Sequence, residues 1–166
     1  MKRSERLRLP AQIALAALVA YGIGFHFTSL FPGYLPKIGA LWSAISAIVV
    51  TQSSKQETTS SASLRVLGSA IGAITSAVYL TFMPFHPLGM ALAIFATVLI
   101  CREFQIQSHA RLAAITVMVI MVTASLDPTL NPGLNALLRF AESCLGTAVA
   151  LLEVRLLSLI HISEPT

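Results

Sequence analysis

The segment Val66–Cys101 contains no Asp, Glu, Lys or Arg. Soluble domains carry about 25% charged residues, whereas only 11% of this chain is charged and 55% is hydrophobic. Apolar runs of helix length recur along most of the sequence, and a surface of that composition is suited to lipid rather than to water. The sequence therefore predicts an all-α, polytopic membrane protein.

Six transmembrane helices are predicted, with Pro- and Gly-containing turns between several of them. The fifth has only 15 uncharged residues between Arg111 and Asp127, so it must start before Arg111 or let that side chain snorkel to the interface. Asp127 is expected to open a turn before Pro128. The polar segment 52–61 is expected to lie in water or to line a wet cavity. The predicted helices cover about 11–31, 38–54, 65–83, 88–101, 111–127 and 134–156.

The basic residues predict the orientation of these helices. With residues 1–9 as a cytoplasmic segment, nine of the eleven Lys and Arg residues fall on the inner side, as the positive-inside rule requires. Only Lys37 and Arg139 fall outside. The nine inner residues are Lys2, Arg3, Arg6, Arg8, Lys55, Arg65, Arg102, Arg111 and Arg155.

An Arg–Gly pattern occurs twice and predicts a duplicated unit. Arg65 precedes Gly72 by seven positions, and Arg139 precedes Gly146 by the same spacing. We interpret residues 10–156 as one membrane domain made of repeats 10–83 and 85–156. Because each repeat has three helices, the two would cross the bilayer in opposite senses, an arrangement that places substrate paths at the repeat interface.

The last ten residues read like the translation of an adaptor used in sequencing-library preparation. We therefore expect residues 157–166 to be non-native read-through and exclude them from the fold. The natural chain is expected to continue beyond this point.

Three segments resemble the fusaric-acid-resistance-like (FUSC) family, also described as integral membrane bound transporter domain proteins. They are Leu41–Val50, Arg65–Gly72 and Arg139–Gly146. The resemblance implies a membrane transporter related to aromatic acid exporters.

The candidate substrate-binding residues are Arg65, Gly68, Gly72, Arg139 and Gly146. Each arginine can bind a carboxylate through its planar guanidinium, but an arginine at a helix end can equally be a lipid-headgroup anchor. Arg139 is the stronger candidate because it violates the charge bias and intramembrane charges are usually functional. The glycines admit either a neighbouring helix or a flat aromatic substrate, and helix packing is the more common use.

Glu142 is the candidate for proton coupling. It lies three positions after Arg139 on the same helix face, so it could instead only neutralise that arginine. Glu153 is interpreted as a residue at the cytoplasmic end of the sixth helix. The free cysteines Cys101 and Cys144 are interpreted as small packed hydrophobes.

The sequence predicts an exporter of small organic anions, with aromatic carboxylic acids as the favoured class and proton coupling as one option. A passive organic-anion channel and a non-transporting scaffold subunit remain alternatives. No catalytic, metal-binding or phosphate-binding motif is found, so neither an enzyme nor a cofactor is expected. The expected partners are the substrate and the lipid of a bacterial inner membrane, without nucleic acid, and a homo-oligomer is compatible.

Overall fold

The computed structural model describes the backbone of residues 3–162 and the side chains of residues 7–156. Within these limits the chain forms six α-helices and no strand, which confirms the all-helical prediction. The whole predicted adaptor segment, residues 157–166, lies outside the described side chains. The helices are α1 Arg3–Ser29, α2 Pro36–Val50, α3 Lys55–Phe82, α4 Pro87–Glu103, α5 Gln107–Leu126 and α6 Pro132–Ile162.

Three helical segments in the described part of the chain are long and apolar enough to cross a membrane: Leu7–Ser29, Lys55–Phe82 and Gln107–Leu126. The other helices fall short for different reasons. α2 has 15 residues and α4 has 17, which at 1.5 Å per residue is less than the hydrocarbon core of about 30 Å. α6 has 31 residues but contains four charged side chains. Six spans and inverted repeats therefore stay predictions.

Helices α3 and α5 both begin earlier than their apolar runs. α5 starts at Gln107, before Arg111, as the first of the two alternatives for this helix required. The side chain of Arg111 is exposed. α3 starts at Lys55, so most of the polar segment 52–61 is helical, and most of its side chains are exposed. The cause is a cap: the Ser54 hydroxyl accepts a hydrogen bond from the Glu57 amide at 3.2 Å, in the Ser-x-x-Glu spacing of a capping box.

The predicted turn between α1 and α2 is confirmed. The amide of Tyr34 donates to the carbonyl of Phe31 at 3.3 Å, and Gly33 has φ +88°. Pro32 followed by a glycine at positive φ is the pattern of a type II turn. Pro36 then starts α2, where the missing amide proton of proline costs nothing.

Asp127 ends α5 and organises the next turn, as predicted. Its Oδ1 accepts from the Thr129 amide at 2.9 Å and from the Thr129 hydroxyl at 2.6 Å. These bonds stabilise the carboxylate and so lower the pKa of Asp127 below its ordinary value.

Replacing Asp127 with alanine should lower the melting temperature at neutral pH but not at low pH. Because the pKa of the folded state is the lower one, the stabilisation is complete above the ordinary aspartate pKa of about 3.9. It is lost as pH falls through the lowered value. Thermal unfolding of both proteins between neutral and acid pH measures this, and a difference that stayed constant into acid would contradict it. Asp127→Asn, which keeps an acceptor oxygen, is the control.

The chain forms two compact units, and the boundaries between them fall within α3 and α6. Unit 1 is Met1–Ser63 with Glu142–Thr166, and unit 2 is Leu64–Ala141. This division leaves the predicted repeat boundaries untested.

In unit 1, α1, α2 and the second half of α6 pack through small residues. Ala16, Ala20, Ala47 and Val149 form one buried cluster. A side chain at Gly24 would collide with α2, because a Cβ there would lie 2.7 Å from the carbonyl oxygen of Gly39. Small residues thus let the helix backbones approach closely, as is common in membrane bundles.

In unit 2, α3 and α5 run parallel. Gly68 faces His109 and Leu112, and Gly72, one turn later, faces Ala113 and Thr116. The contacts therefore advance along both helices in the same direction. The start of α6 returns antiparallel to α5 after a short turn.

Candidate functional site

Buried polar side chains are the main feature of the helical interior. Many of them donate to the carbonyl four residues earlier in their own helix, as Ser76 does to Gly72 at 2.8 Å and Thr116 does to Leu112 at 2.9 Å. Such local bonds satisfy a hydroxyl without a partner helix. The neutral polar residues that are at most 3% exposed are Thr28, Ser43, Ser46, Thr51, Thr58, Ser69, Ser76, Thr97, Thr116, Asn135, Ser143 and Thr147.

Arg65 is completely buried, with 0% of its surface exposed. It lies on α3 one turn before Ser69, which is also 0% exposed. The sequence placed Arg65 at the mouth of the third helix, where a headgroup anchor was one interpretation. Because α3 begins at Lys55, Arg65 is instead an interior residue of a long helix, and its burial does not fit an anchor.

Arg139 is also buried, with 2% of its surface exposed. It lies on α6 one turn after Asn135, whose side-chain amide donates to the carbonyl of Ile120 at 3.2 Å and to the hydroxyl of Thr123 at 3.5 Å. These bonds join α6 to α5 and fix the face on which Arg139 lies. The sequence analysis did not identify Asn135 as a residue of this site. Its position four residues before Arg139, on the same helix face, was a signal that could have found it.

The two arginines belong to the same unit. Ala73 of α3 and Ala136 of α6 share a core cluster, and the two helices are antiparallel. From that contact Arg65 lies about 12 Å along α3, and Arg139 lies about 4.5 Å along α6 in the same direction, at 1.5 Å per residue. Measured along the helix axes, the two Cα atoms are therefore about 7.5 Å apart, close to the length of one arginine side chain.

Glu142 belongs to unit 1 and is 0% exposed. The hydroxyl of Thr28 in α1 donates to its Oε1 at 2.6 Å, and the hydroxyl of Ser43 in α2 donates to its main-chain carbonyl at 3.1 Å. Glu142 is thus held by two other helices. Its predicted role in proton coupling, and the predicted ion pair with Arg139, stay predictions.

The candidate glycines are all sites of close helix contact. A Cβ on Gly72 would lie 2.5 Å from the Ala113 carbonyl oxygen, and one on Gly68 would lie 2.9 Å from the Cβ of Leu112. A Cβ on Gly146 would collide with the carbonyl oxygen of Ser43. This geometry supports the packing interpretation, and a substrate contact for these glycines remains a prediction.

In the described part of the chain, no three His, Cys, Asp or Glu side chains come together in a way that could hold a metal ion. Cys101 and Cys144 are free thiols, the first buried and the second half-buried.

Comparison with known proteins gives one match. The model of the family described as fusaric acid resistance protein-like covers residues 15–152, from the first half of α1 to the second half of α6. No match was found among curated proteins or among solved structures. The matched range includes both arginines, Glu142 and all the candidate glycines. The chain therefore belongs to the fusaric acid resistance protein-like family of membrane transporters.

Proposed function

We propose that the protein exports small organic anions, with aromatic carboxylic acids as the substrate class, across a bacterial inner membrane with its N-terminus in the cytoplasm. Membership of the fusaric acid resistance protein-like family supports a membrane transporter or exporter. The anionic substrate and the direction of transport are our proposal.

The burial of Arg65 and Arg139 in one unit is the observation that carries this proposal. Arginine stays charged in proteins, and its five N–H donors can serve several acceptors at once. Bringing a carboxylate into a low-dielectric interior is costly unless cations and donors are already in place. Two guanidinium groups on residues that are separated along the helix axes by about one side-chain length would provide them.

An apolar groove in unit 2 could hold the ring of an aromatic acid. It has a volume of about 270 Å³ and is lined by α3 and the start of α6, with Ala73, Ala136 and Phe140 among its residues. A closed apolar cavity of about 150 Å³ is enough to bind benzene. Phe140, which lines the groove, directly follows Arg139 in α6, but neither arginine lines the groove itself.

Reconstitution tests the proposal directly. We expect liposomes that contain the protein to release preloaded 4-hydroxybenzoate faster than empty liposomes, and to release the neutral 4-hydroxybenzamide no faster. The two solutes have similar shapes and differ in charge. Equal release of both, or release of neither, would contradict an anion exporter.

A passive anion channel is the second candidate. The bond between Thr28 and Glu142 favours it, because a hydrogen bond donated to a carboxylate stabilises the ionised form and so opposes proton uptake. A channel and a proton-coupled exporter share the arginines and differ in their need for a titratable group.

Glu142→Gln should distinguish these mechanisms. The amide keeps an oxygen that can accept a hydrogen bond from Thr28, but it cannot take up and release a proton. A proton-coupled exporter should therefore lose gradient-driven transport at least about tenfold, since a positioned acid or base typically contributes more than that. The measurement is 4-hydroxybenzoate flux with and without an imposed pH gradient. Unchanged gradient-driven flux would assign the protein to the channel class. Thr28→Val, which removes only the donor, is the matched control.

A further inference from the structure

Glu153 occupies an unusual position in unit 1. It lines a groove of about 300 Å³ between α1 and α6 whose other lining residues are all apolar: Leu15, Ala16, Val19, Ile23, Val149, Leu152 and Leu156. The sequence placed Glu153 at the cytoplasmic end of its helix. Its side chain is half-buried beside the α1 residues that line this groove.

The carboxyl group of Glu153 has no hydrogen-bond partner within the described part of the chain. Both of its oxygens are buried. The lining residues from α1 and α6 include no other titratable group. The nearest described cations along these two helices are Arg155 and Arg8, and both are exposed. Arg8 precedes Leu15 by seven residues, or about 10 Å along α1.

The depth of the groove follows from α1. Its lining residues on α1 run from Leu15 to Ile23, which lie about 6–18 Å beyond the start of the uncharged run at Ala11. The hydrocarbon core of a bilayer is about 30 Å thick. The Glu153 carboxyl therefore lies beside the uncharged part of the candidate span of α1.

An ionised carboxylate in such surroundings would face apolar walls and would receive no hydrogen bond from the described residues. Desolvation strongly disfavours the charged form, and a group in this position takes up a proton instead. Ionisable residues that face apolar surroundings inside a membrane are costly and usually functional. We infer that Glu153 is a proton-binding site within the membrane and that it carries its proton at neutral pH.

This site differs from Glu142. Glu142 is enclosed between helices and accepts a hydrogen bond from Thr28, whereas Glu153 faces a groove with apolar walls. The inference concerns protonation alone and does not depend on which substrate the protein transports.

Labelling with dicyclohexylcarbodiimide tests the inference on the unmodified protein in liposomes. This apolar reagent dissolves in membranes, and a protonated carboxyl adds across its carbodiimide bond. The adduct rearranges to a stable acylurea without a leaving group, so mass spectrometry can locate it. An exposed glutamate with the ordinary pKa of about 4.3 is protonated in only about one molecule in 500 at pH 7.

We expect Glu153 to be labelled at pH 7 at least about tenfold faster than Glu57 and Glu103, which are exposed controls in the same chain. A water-soluble carbodiimide should not reproduce this preference. Glu153→Gln should lose the adduct, and its unchanged elution in detergent would show that the fold is intact. Labelling of Glu153 no faster than of Glu103, or labelling of Glu142 in its place, would overturn the inference.

Discussion

Arg139→Gln is expected to reduce organic-anion efflux at least about tenfold while the protein still inserts into the membrane. The reason is the loss of a permanent cation from a buried site. A hydrogen bond to a charged group contributes about 1.5–3 kcal/mol, and each 1.4 kcal/mol corresponds to a factor of about ten in affinity. Glutamine keeps donors and an acceptor at the same position but cannot balance the charge of a carboxylate.

Two further variants make the Arg139 experiment specific. Arg139→Lys keeps the charge but loses the planar fork, so we expect intermediate efflux and weakened binding of the substrate. Arg111→Gln removes an exposed cation and should leave efflux near the wild-type level. Efflux of 4-hydroxybenzoate from preloaded cells, normalised to the amount of protein in the membrane, gives all three values. Normal efflux by Arg139→Gln would remove the basis of the proposed anion site.

Gly146→Ala is expected to destabilise the fold more than an alanine at either of the other two candidate glycines, Gly68 and Gly72. The new Cβ would collide with the main-chain carbonyl of Ser43, and the Cβ of Ser46 is only 2.9 Å from the same point. A carbonyl inside a helix cannot move aside as a flexible side chain can. Overpacking of this kind typically costs about 1–3 kcal/mol, so a clear fall in melting temperature should follow.

The chain offers a matched control for this substitution. Gly22 lies inside α1, and a Cβ there would meet nothing within 4 Å. Because alanine is favoured over glycine in a helix by up to about 1 kcal/mol, Gly22→Ala should be neutral or stabilising. Thermal unfolding in detergent, followed by loss of the monodisperse elution peak, compares the two. Equal melting temperatures for the two variants would refute the close contact between α2 and α6.

The helices and their turns could largely be predicted from sequence because their signals are local. Pro32 and Gly33 specify a turn whatever surrounds them, and the charge-free segment Val66–Cys101 can only be buried or in lipid. The start of α3 could not be found from apolar runs, because its first seven residues, 55–61, are polar. The capping spacing of Ser54 and Glu57 was a usable signal that hydropathy alone does not detect.

The candidate site was predictable in its residues but not in its surroundings. The sequence singled out Arg65 and Arg139 by charge and spacing, and both are buried. It did not predict that Glu142 binds Thr28, because serine and threonine occur throughout the chain and no local rule pairs residues 114 positions apart. The glycines show the same limit: their spacing predicts that something approaches closely, and only the tertiary structure shows that helices do.

Glu142 connects α6 to two other helices. Its carboxylate is tied to Thr28 of α1, and its main-chain carbonyl is tied to Ser43 of α2. A piston-like stroke of α6 alone would have to break both ties inside an apolar interior, where an unmet donor or acceptor costs about 1–3 kcal/mol. A tilt of all three helices together would break neither. Conformational change within unit 1 should accordingly be a tilt in which α1, α2 and the second half of α6 move together as one rigid group.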